Sequence, residues 1–238
     1  MQYFILAAGK GSRLKSLTLN RPKPLLKLSN GEDIIAFQKR VIRNMDKDAE
    51  IFVVTGYLAE MVRKEHPDLG EIFNSHFEDM NNIYSVFLIK DFVKDDFVLI
   101  NGDTVFHPFI LEKIYSQKEG TYCVVDNVKR LGDEEMKVII DENENRIIRF
   151  GKDIPVEDAD GEYIGISRFR KEDAKILFNE IEKMLQSNGK HLWYENAFSE
   201  ISDEVVFSPV FTDGLLWIEV DTELDYKKAQ EIVWKFND

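Results

Sequence analysis

The chain has 238 residues, of which 44% are hydrophobic and 12% aromatic, so it carries enough apolar material for a core, which argues against intrinsic disorder. Its 44 acidic and 31 basic side chains give a net charge of −13, which argues against a nucleic-acid binder and against attachment to anionic lipid through basic patches. The single cysteine, Cys123, excludes an intramolecular disulfide and a cysteine-based zinc site. A helix needs about 20 consecutive apolar residues to span a bilayer, and no apolar run in the sequence approaches that length. The first residues also lack the pattern of a signal peptide. We therefore expect a cytoplasmic protein without membrane insertion.

Short apolar runs alternate with helical patterns through the first half of the chain. Strands are predicted at residues 3–8, 51–54, 71–74, 97–100 and 122–126. Helices are predicted at residues 33–45, 57–64, 82–92 and 108–117. Buried strands that alternate with helices form parallel sheets, so this half predicts an α/β fold with a Rossmann-like, doubly wound sheet.

The second half of the chain has a different pattern. Residues 136–141 and 146–150 flank a polar turn and predict a hairpin, and further strands are predicted at 162–169, 205–211 and 215–219. Helices are predicted at 171–185 and 194–201, and a capping box at residues 222–225 opens a last helix. Its core-facing side chains are expected to be Leu224, Ala229, Ile232, Val233 and Phe236. We therefore expect one domain over residues 1–238, with a mostly parallel mixed sheet flanked by helices and a small β-rich part.

A glycine-containing loop follows the first predicted strand. It reads Leu-Ala-Ala-Gly-Lys-Gly-Ser-Arg-Leu over residues 6–14 and is followed by Arg-Pro-Lys-Pro over residues 21–24. Small residues let the backbone approach a ligand closely, and its N–H groups can bind phosphates. Lys10, Arg13, Arg21 and Lys23 concentrate positive charge in an otherwise acidic chain, and the two prolines stiffen the backbone around Lys23. An ordinary solvated turn with basic side chains is the simpler alternative, which this density of cations and prolines disfavours.

Acidic residues stand at the ends of two other predicted strands. Asp103 follows the strand 97–100, and Glu219 and Asp221 alternate onto one face of the strand that ends nearby, with Val220 on the other face. Carboxylates at strand ends are suited to a hard divalent cation, although a lone aspartate there is more often a turn or cap residue. Asp103 and Asp221 would share Mg²⁺ if their strand ends meet.

The glycine loop with Arg-Pro-Lys-Pro resembles the signature of the nucleotidyltransferases that activate sugar phosphates and polyol phosphates. The resemblance extends through Gly102 and Asp103 to residues 219–222, and so covers essentially the whole chain. It implies that a phosphate monoester attacks the α-phosphorus of a nucleoside triphosphate and that pyrophosphate leaves. It also implies a nucleotide-binding half at residues 1–126 and an acceptor-binding half at residues 127–238.

The resemblance assigns roles to individual residues. Lys23, Arg13 and Asp103 would be catalytic, and Mg²⁺ would be bound by Asp103, Asp221 and Glu219. Lys23 would stabilise charge on the α-phosphate, and no general base is needed because the attacking phosphate is already ionised. The nucleotide would be bound by Leu6, Ala7, Ala8, Gly9, Gly11, Ser12, Arg13, Lys23, Thr55, Gly56, Asn82, Ser85 and Gly102.

Two branches of this family share further motifs with the chain. Residues 54–57 and 82–85 look like those of bacterial choline-phosphate cytidylyltransferases, whereas residues 149–152 and 213–222 are similar to inositol-1-phosphate cytidylyltransferases. Both branches use CTP, so the expected substrates are CTP and a small phosphorylated alcohol, either phosphocholine or inositol 1-phosphate, and a homodimer is compatible with them. The alternatives are a sugar-1-phosphate nucleotidyltransferase that uses UTP, dTTP or GTP, a nucleotide-sugar glycosyltransferase, and a catalytically inactive nucleotide sensor.

The second half of the chain is expected to bind the acceptor. An aromatic pair beside an acid, Trp193, Tyr194 and Glu195, would enclose a quaternary ammonium by cation–π attraction, unless the two rings only cover the helix that begins there. Lys137 and Lys152 would bind the acceptor's phosphate, with solvated lysines as the alternative. Glu162 and Gly165 complete the predicted acceptor site.

Overall fold

The computed structural model describes residues 1–237, which form a nine-stranded sheet, a two-stranded ribbon and seven α-helices. The strands are β1 (Gln2–Ala7), β2 (Glu50–Thr55), β3 (Gly70–Phe73), β4 (Phe97–Asn101), β5 (Thr104–Phe106), β6 (Thr121–Asp126), β7 (Lys137–Asp141), β8 (Arg146–Gly151), β9 (Gly161–Phe169), β10 (Phe207–Phe211) and β11 (Trp217–Glu219). The helices are α1 (Ile34–Met45), α2 (Ala59–Glu65), α3 (Asn82–Leu88), α4 (Pro108–Tyr115), α5 (Lys171–Gln186), α6 (Tyr194–Glu200) and α7 (Glu223–Ile232). None of these helices is both long enough and apolar enough to cross a membrane.

The large sheet has the order β3-β2-β1-β4-β9-β6-β10-β8-β7. β1 lies between β2 and β4 and is parallel to both, whereas β9 runs antiparallel between β4 and β6. Strands from both halves of the chain therefore share one sheet. The predicted α/β fold with a mixed sheet flanked by helices is confirmed, as is the β7–β8 hairpin.

The core lies on both faces of this sheet. Successive side chains of a strand point to opposite faces, and in β1 Tyr3 and Ile5 pack on one face while Phe4 packs on the other. The first face is covered by α1 and α4, which contribute Phe37 and Ile110 among others. The second face is covered by α3, α5 and α6. Because β1 is buried on both faces, its carboxyl end is held rigidly.

The structure differs from the predicted elements at β5 and in the last helix, among other places. The three-residue strand β5 was not predicted, and it pairs antiparallel with β11. Leu224 was expected to face the core of the last helix, but it lies in the first turn of α7 and is 60% exposed, so that expectation is wrong. The predicted capping box is confirmed, since Thr222 Oγ1 accepts from the Asp225 N–H and the Asp225 carboxylate accepts from the Thr222 N–H.

Candidate active site

A cleft of about 380 Å³ opens at the carboxyl ends of β1 and β4. This is the edge of a parallel sheet at which ligands characteristically bind. The loop after β1 forms one wall, and the turn after β4 forms the floor. The side chains and backbone that line the cleft belong to Leu6, Ala7, Ala8, Gly9, Gly11, Ser12, Arg13, Lys23, Pro24, Asn74, Phe77, Met80, Asn81, Asn82, Ser85, Asn101, Gly102, Asp103, Trp193, Glu219 and Asp221.

Two glycines are required by the geometry of this cleft. A Cβ atom on Gly102 would lie 2.6 Å from the Leu6 carbonyl oxygen, to which the Gly102 N–H donates at 2.8 Å. Gly11 has φ +62°, a conformation that L side chains rarely adopt, and a Cβ there would lie 3.1 Å from the Lys23 Cβ. Glycine at position 102 lets the turn after β4 pack directly against β1. Glycine at position 11 lets the glycine loop turn beside Lys23.

Three carboxylates converge at one end of the cleft. Oxygen atoms of Asp103, Glu219 and Asp221 all lie within 4.8 Å of one another. The β5–β11 ribbon brings them together, because β11 pairs with β5 directly after Asp103 and the Val220 N–H donates to the Asp103 carbonyl at 2.9 Å. The predicted meeting of the two acidic strand ends is therefore observed. Such a set of oxygen ligands could hold a divalent cation.

Two cations lie against these carboxylates. Lys23 Nζ is 2.5 Å from Asp103 Oδ2 and 2.9 Å from Asp221 Oδ1, and Arg13 Nη2 is 2.8 Å from Asp221 Oδ2. The Lys23 side chain is only 12% exposed, whereas that of Arg13 is 59% exposed. Lys23 is therefore held at the bottom of the cleft, and Arg13 extends from its mouth.

The crowding of charge shifts the pKa values in this cluster. Burial is the main cause that raises the pKa of Glu219 to about 8, and the charges of Asp103 and Asp221 add to it. Burial also acts to raise the pKa of Asp221, but Lys23 and Arg13 outweigh it and the pKa is lowered. For Lys23, burial opposes the charged form, and the attraction of Asp103 and Asp221 nevertheless raises its pKa. The lysine is therefore a permanent cation.

The opposite wall is built by α3 and the loop before it. Its side chains in the cleft are uncharged and belong to Asn74, Phe77, Met80, Asn81, Asn82 and Ser85. Sequence reasoning identified only Asn82 and Ser85 among these. Asn81 could also have been found, because it is the N-cap of α3 directly before that motif. No local pattern identifies Asn74, Phe77 or Met80, since only the tertiary fold brings their loop against β1.

Eleven of the thirteen predicted nucleotide-binding residues line the cleft, and Thr55 and Gly56 do not. Thr55 is buried and donates from Oγ1 to Glu71 at 2.8 Å. A Cβ atom on Gly56 would lie 2.6 Å from the Phe77 Cβ. Thr55 and Gly56 therefore pack behind the α3 wall and contribute no surface to the cleft. Arg21 also lies outside the cleft lining, where it donates to the Leu25 carbonyl at 2.6 Å and to Glu65 at 2.6 Å and so holds the turn around Lys23.

Among the predicted acceptor-binding residues, Trp193 alone lines the cleft. Its ring is partly exposed, and Lys152 Nζ lies 4.9 Å from the ring centre. Tyr194 is fully buried in the core, where its hydroxyl donates to Asn101 Oδ1 at 3.0 Å. The expected aromatic pair is thus corrected to a single ring, because Tyr194, the first residue of α6, packs in the core, whereas Trp193, its N-cap, is exposed.

Lys137 is also corrected. It is 1% exposed, and its ammonium donates to the carbonyl oxygens of Gly132, Asp133 and Glu135 at 3.0–3.4 Å. Since the ammonium is already bound by three backbone oxygens, it holds the loop before β7 and is not available to an acceptor's phosphate.

The remaining predicted residues lie behind the cleft. Glu162 is buried beside Lys129 Nζ at 2.9 Å, and burial is the main cause that raises its pKa to about 7 although Lys129 opposes this. Glu195 is buried, its pKa is raised to about 7 by burial, and its Oε2 has no hydrogen-bond partner within residues 1–237. Gly165 has φ +77° and packs against the Asn101 side chain.

The chain is similar to known proteins both in sequence and in fold. A family model described as "Nucleotidyl transferase" matches residues 3–165. The chain is 26% identical over 98% of both chains to the choline-phosphate cytidylyltransferase of Streptococcus pneumoniae. It is 27% identical, over 97% of this chain and 51% of the relative, to the bifunctional IPC transferase and DIPP synthase of Aquifex aeolicus. The structure of the inositol-1-phosphate CTP transferase from T. maritima matches with TM-score 0.81 at 24% identity, covering 100% of this chain and 96% of the other. The chain spans about half the length of several curated relatives it matches.

The close approach at Gly102 predicts that Gly102→Ala destabilises the protein by about 1–3 kcal/mol, because the new methyl group would overlap the Leu6 carbonyl. Gly9→Ala is the matched control, since no atom lies within 4 Å of a Cβ at that position. Urea denaturation followed by circular dichroism measures both variants. Equal stability of the two variants would contradict the role given to Gly102.

Proposed function

Since the chain belongs to the nucleotidyl transferase family, we propose that it is a cytidylyltransferase that converts a small phosphorylated alcohol and CTP into a CDP derivative and pyrophosphate. The observation that carries this proposal is the end of the cleft where Lys23 and Arg13 meet three carboxylates beside the glycine loop. A nucleoside triphosphate and a divalent cation need this combination of fixed cations, backbone N–H groups and oxygen ligands.

In the proposed reaction, an oxygen of the acceptor's phosphate attacks the α-phosphorus of CTP. The bond between the α-phosphorus and the bridging oxygen of the β-phosphate breaks, and pyrophosphate carries away that electron pair. The attacking oxygen is already ionised, so no residue has to remove a proton. The work of the protein is to position the two substrates and to stabilise charge.

Each residue of the site has a part in this scheme. The backbone around Gly9, Gly11 and Ser12 and the side chain of Arg13 bind the β- and γ-phosphates. Lys23 neutralises the charge that accumulates around the α-phosphorus during attack. Entering phosphate oxygens replace the carboxylates as partners of both cations, which become the positive lining of a phosphate site.

The carboxylates released in this way fit a magnesium ion. Asp103, Asp221 and Glu219 present hard oxygen donors close enough to share one cation. When bound, Mg²⁺ supplies electrostatic stabilisation of the phosphate oxygens. Glu219 would bind the ion as a carboxylate, because a cation nearby favours the charged form against the burial and the neighbouring carboxylates that raise its pKa.

Two acceptors are proposed, phosphocholine and inositol 1-phosphate. The similarity to a choline-phosphate cytidylyltransferase and to proteins described as IPC or inositol-1-phosphate CTP transferases supports both of them, and supports CTP as the nucleotide. Trp193 favours phosphocholine, because its partly exposed ring already attracts the Lys152 ammonium and would attract a quaternary ammonium in the same way.

Pyrophosphate release tests the proposed function. The purified protein with Mg²⁺ is incubated with CTP, UTP, dTTP or GTP and with phosphocholine, inositol 1-phosphate or a hexose 1-phosphate. We expect release with CTP and one of the first two acceptors. Asp103→Asn and Asp221→Asn should each lower turnover at least about 100-fold, because each removes a metal ligand. Asp213→Asn is the matched control, since Asp213 is an exposed turn residue that pairs with Lys113 outside the cleft.

The other outcomes of this experiment identify the alternatives. Release with a hexose 1-phosphate and UTP, dTTP or GTP would make the protein a sugar-1-phosphate nucleotidyltransferase. Nucleotide binding without release of pyrophosphate in any combination would indicate a nucleotide sensor. Near-normal turnover of both aspartate variants would contradict the metal site.

Lys23→Met should lower kcat at least about 100-fold and change the KM for CTP only a few-fold. The reason is that the charge of Lys23 is needed most as the α-phosphorus becomes crowded with negative charge, and an interaction made mainly in the transition state affects kcat. Lys15→Met is the control, because it removes the same charge from an exposed position of the same loop. Steady-state kinetics with pyrophosphate detection gives both constants. If the variant only had a raised KM, Lys23 would bind the substrate without a special role in the transition state.

Trp193→Leu distinguishes the two acceptors. The change removes the only ring among the predicted acceptor residues that lines the cleft, so we expect kcat/KM for phosphocholine to fall about tenfold and that for inositol 1-phosphate to change only slightly. Trp193→Phe, which keeps an aromatic face, should restore most of the activity with phosphocholine. Equal losses with both acceptors would exclude a cation–π role for Trp193.

A further inference from the structure

The cleft has two chemically different walls. One carries Arg13, Lys23 and the three carboxylates, whereas the wall made by α3 and its preceding loop presents only uncharged side chains among the described lining residues. A nucleoside base is flat and neutral, so it suits the second wall when the triphosphate lies along the first. The polar groups of the second wall then decide which base is accepted.

The orientation of one amide on this wall is fixed by the backbone. Asn74 Oδ1 accepts a hydrogen bond from the His76 N–H at 2.8 Å, and Asn74 Nδ2 lies 3.0 Å from Ser85 Oγ. A backbone N–H can only donate, so the atom facing it must be the amide oxygen. The NH₂ group of Asn74 therefore faces Ser85 and donates to its hydroxyl oxygen. Asn74 and Ser85 are 1% and 4% exposed, so water has little access to exchange these partners.

This arrangement leaves the Ser85 hydroxyl with a proton to donate. The hydroxyl accepts from Asn74, and within residues 1–237 it donates to no other group. Ser85 lines the cleft, so a bound molecule can supply the remaining acceptor. A buried donor without an acceptor is costly, and a ligand that offers a donor at the same place leaves it unpaired.

We propose that Asn74 and Ser85 form a hydrogen-bond relay that selects cytosine, in which the Ser85 hydroxyl donates to N3 of the base. This inference rests on the proposed use of CTP and names the residues that determine it. In cytosine, N3 is an unprotonated acceptor. In uracil and thymine, N3 carries a hydrogen, so two hydrogen-bond donors, this N3–H and the Ser85 hydroxyl, would face each other. The direction of the relay, set by the His76 N–H, is what rejects UTP and dTTP.

Asn74→Asp tests the relay by reversing the hydrogen bond between residue 74 and Ser85. At pH 8 the carboxylate still accepts from the His76 N–H, but it can no longer donate to Ser85. The Ser85 hydroxyl then donates to Asp and turns a lone pair towards the base, which suits the N3–H of uracil. We expect the affinity ratio of CTP to UTP to fall about tenfold or more, by loss of CTP binding and gain of UTP binding. Isothermal titration calorimetry with each nucleotide, Mg²⁺ and no acceptor measures the ratio.

Two further variants separate the relay from effects of charge and folding. Asn81→Asp places the same charge on the same wall, at a side chain that bonds to the Asn82 N–H and the His191 carbonyl and not to the Asn74 or Ser85 side chain, so it should weaken both nucleotides and leave their ratio unchanged. Ser85→Ala removes the donor and should weaken CTP but not UTP, which provides a second test if Asn74→Asp does not fold. Circular dichroism checks the fold of each variant.

The outcomes distinguish this inference from the proposed function. Equal affinity of the unmodified protein for CTP and UTP overturns the relay, as does a CTP-to-UTP ratio that Ser85→Ala leaves unchanged. If the protein releases pyrophosphate from CTP and the variants keep the ratio, only the relay is wrong. If the ratio responds as expected but no combination of substrates releases pyrophosphate, the relay stands and the proposed reaction fails.

Discussion

The contact of Lys23 with Asp103 and Asp221 is the interaction on which the candidate site depends. It joins the glycine-loop segment, the end of β4 and the end of β11, which are far apart in sequence. Burial, together with the charges of Asp103 and Asp221, raises the pKa of Glu219, so the carboxylates alone would be costly to hold together in this cleft. Lys23 and Arg13 supply the opposing charge that holds Asp103 and Asp221 together. In the proposed function, the same charges exchange partners when a triphosphate and a divalent cation bind.

The sheet determines where this contact can form. β1 and β4 are adjacent parallel strands in the buried middle of the sheet, so their carboxyl ends form a rigid edge. Gly102 lets the turn after β4 pack directly against the Leu6 carbonyl, and this contact fixes the position of Asp103 at that edge. The ribbon of β5 and β11 then fixes Asp221 beside it. The positions of the charges therefore follow from backbone hydrogen bonds.

Sequence reasoning succeeded where the determinant is local and failed where it is tertiary. The glycine loop, the β7–β8 hairpin and the Thr222 cap depend on neighbouring residues, and all three are recognisable in the sequence. Trp193 and Tyr194 are adjacent and chemically alike, but only packing decides that the second is buried. Lys137 has the composition of a phosphate ligand, yet three carbonyl groups of its own loop bind it. Asn74 carries no recognisable motif, because its role comes from contacts with His76 and Ser85 that the fold creates.

The two proposed substrate sites differ in how much of their recognition is built in advance. On the proposed base wall, Asn74 and Ser85 are already aligned by a backbone N–H, so we expect a matching base to bind with little rearrangement and its selectivity to enter directly into affinity. On the proposed acceptor side, Lys152 lies against Trp193, which lines the cleft. An acceptor that packs on the Trp193 ring has to replace this internal cation, and its own charge decides how readily it does so. We expect a cationic headgroup to replace the lysine ammonium with a similar charge, whereas a polyol leaves the Lys152 contact intact and binds beside it. Nucleotide choice would then depend on preformed hydrogen bonds of the α3 wall, and acceptor choice on the exchange of one cation at Trp193.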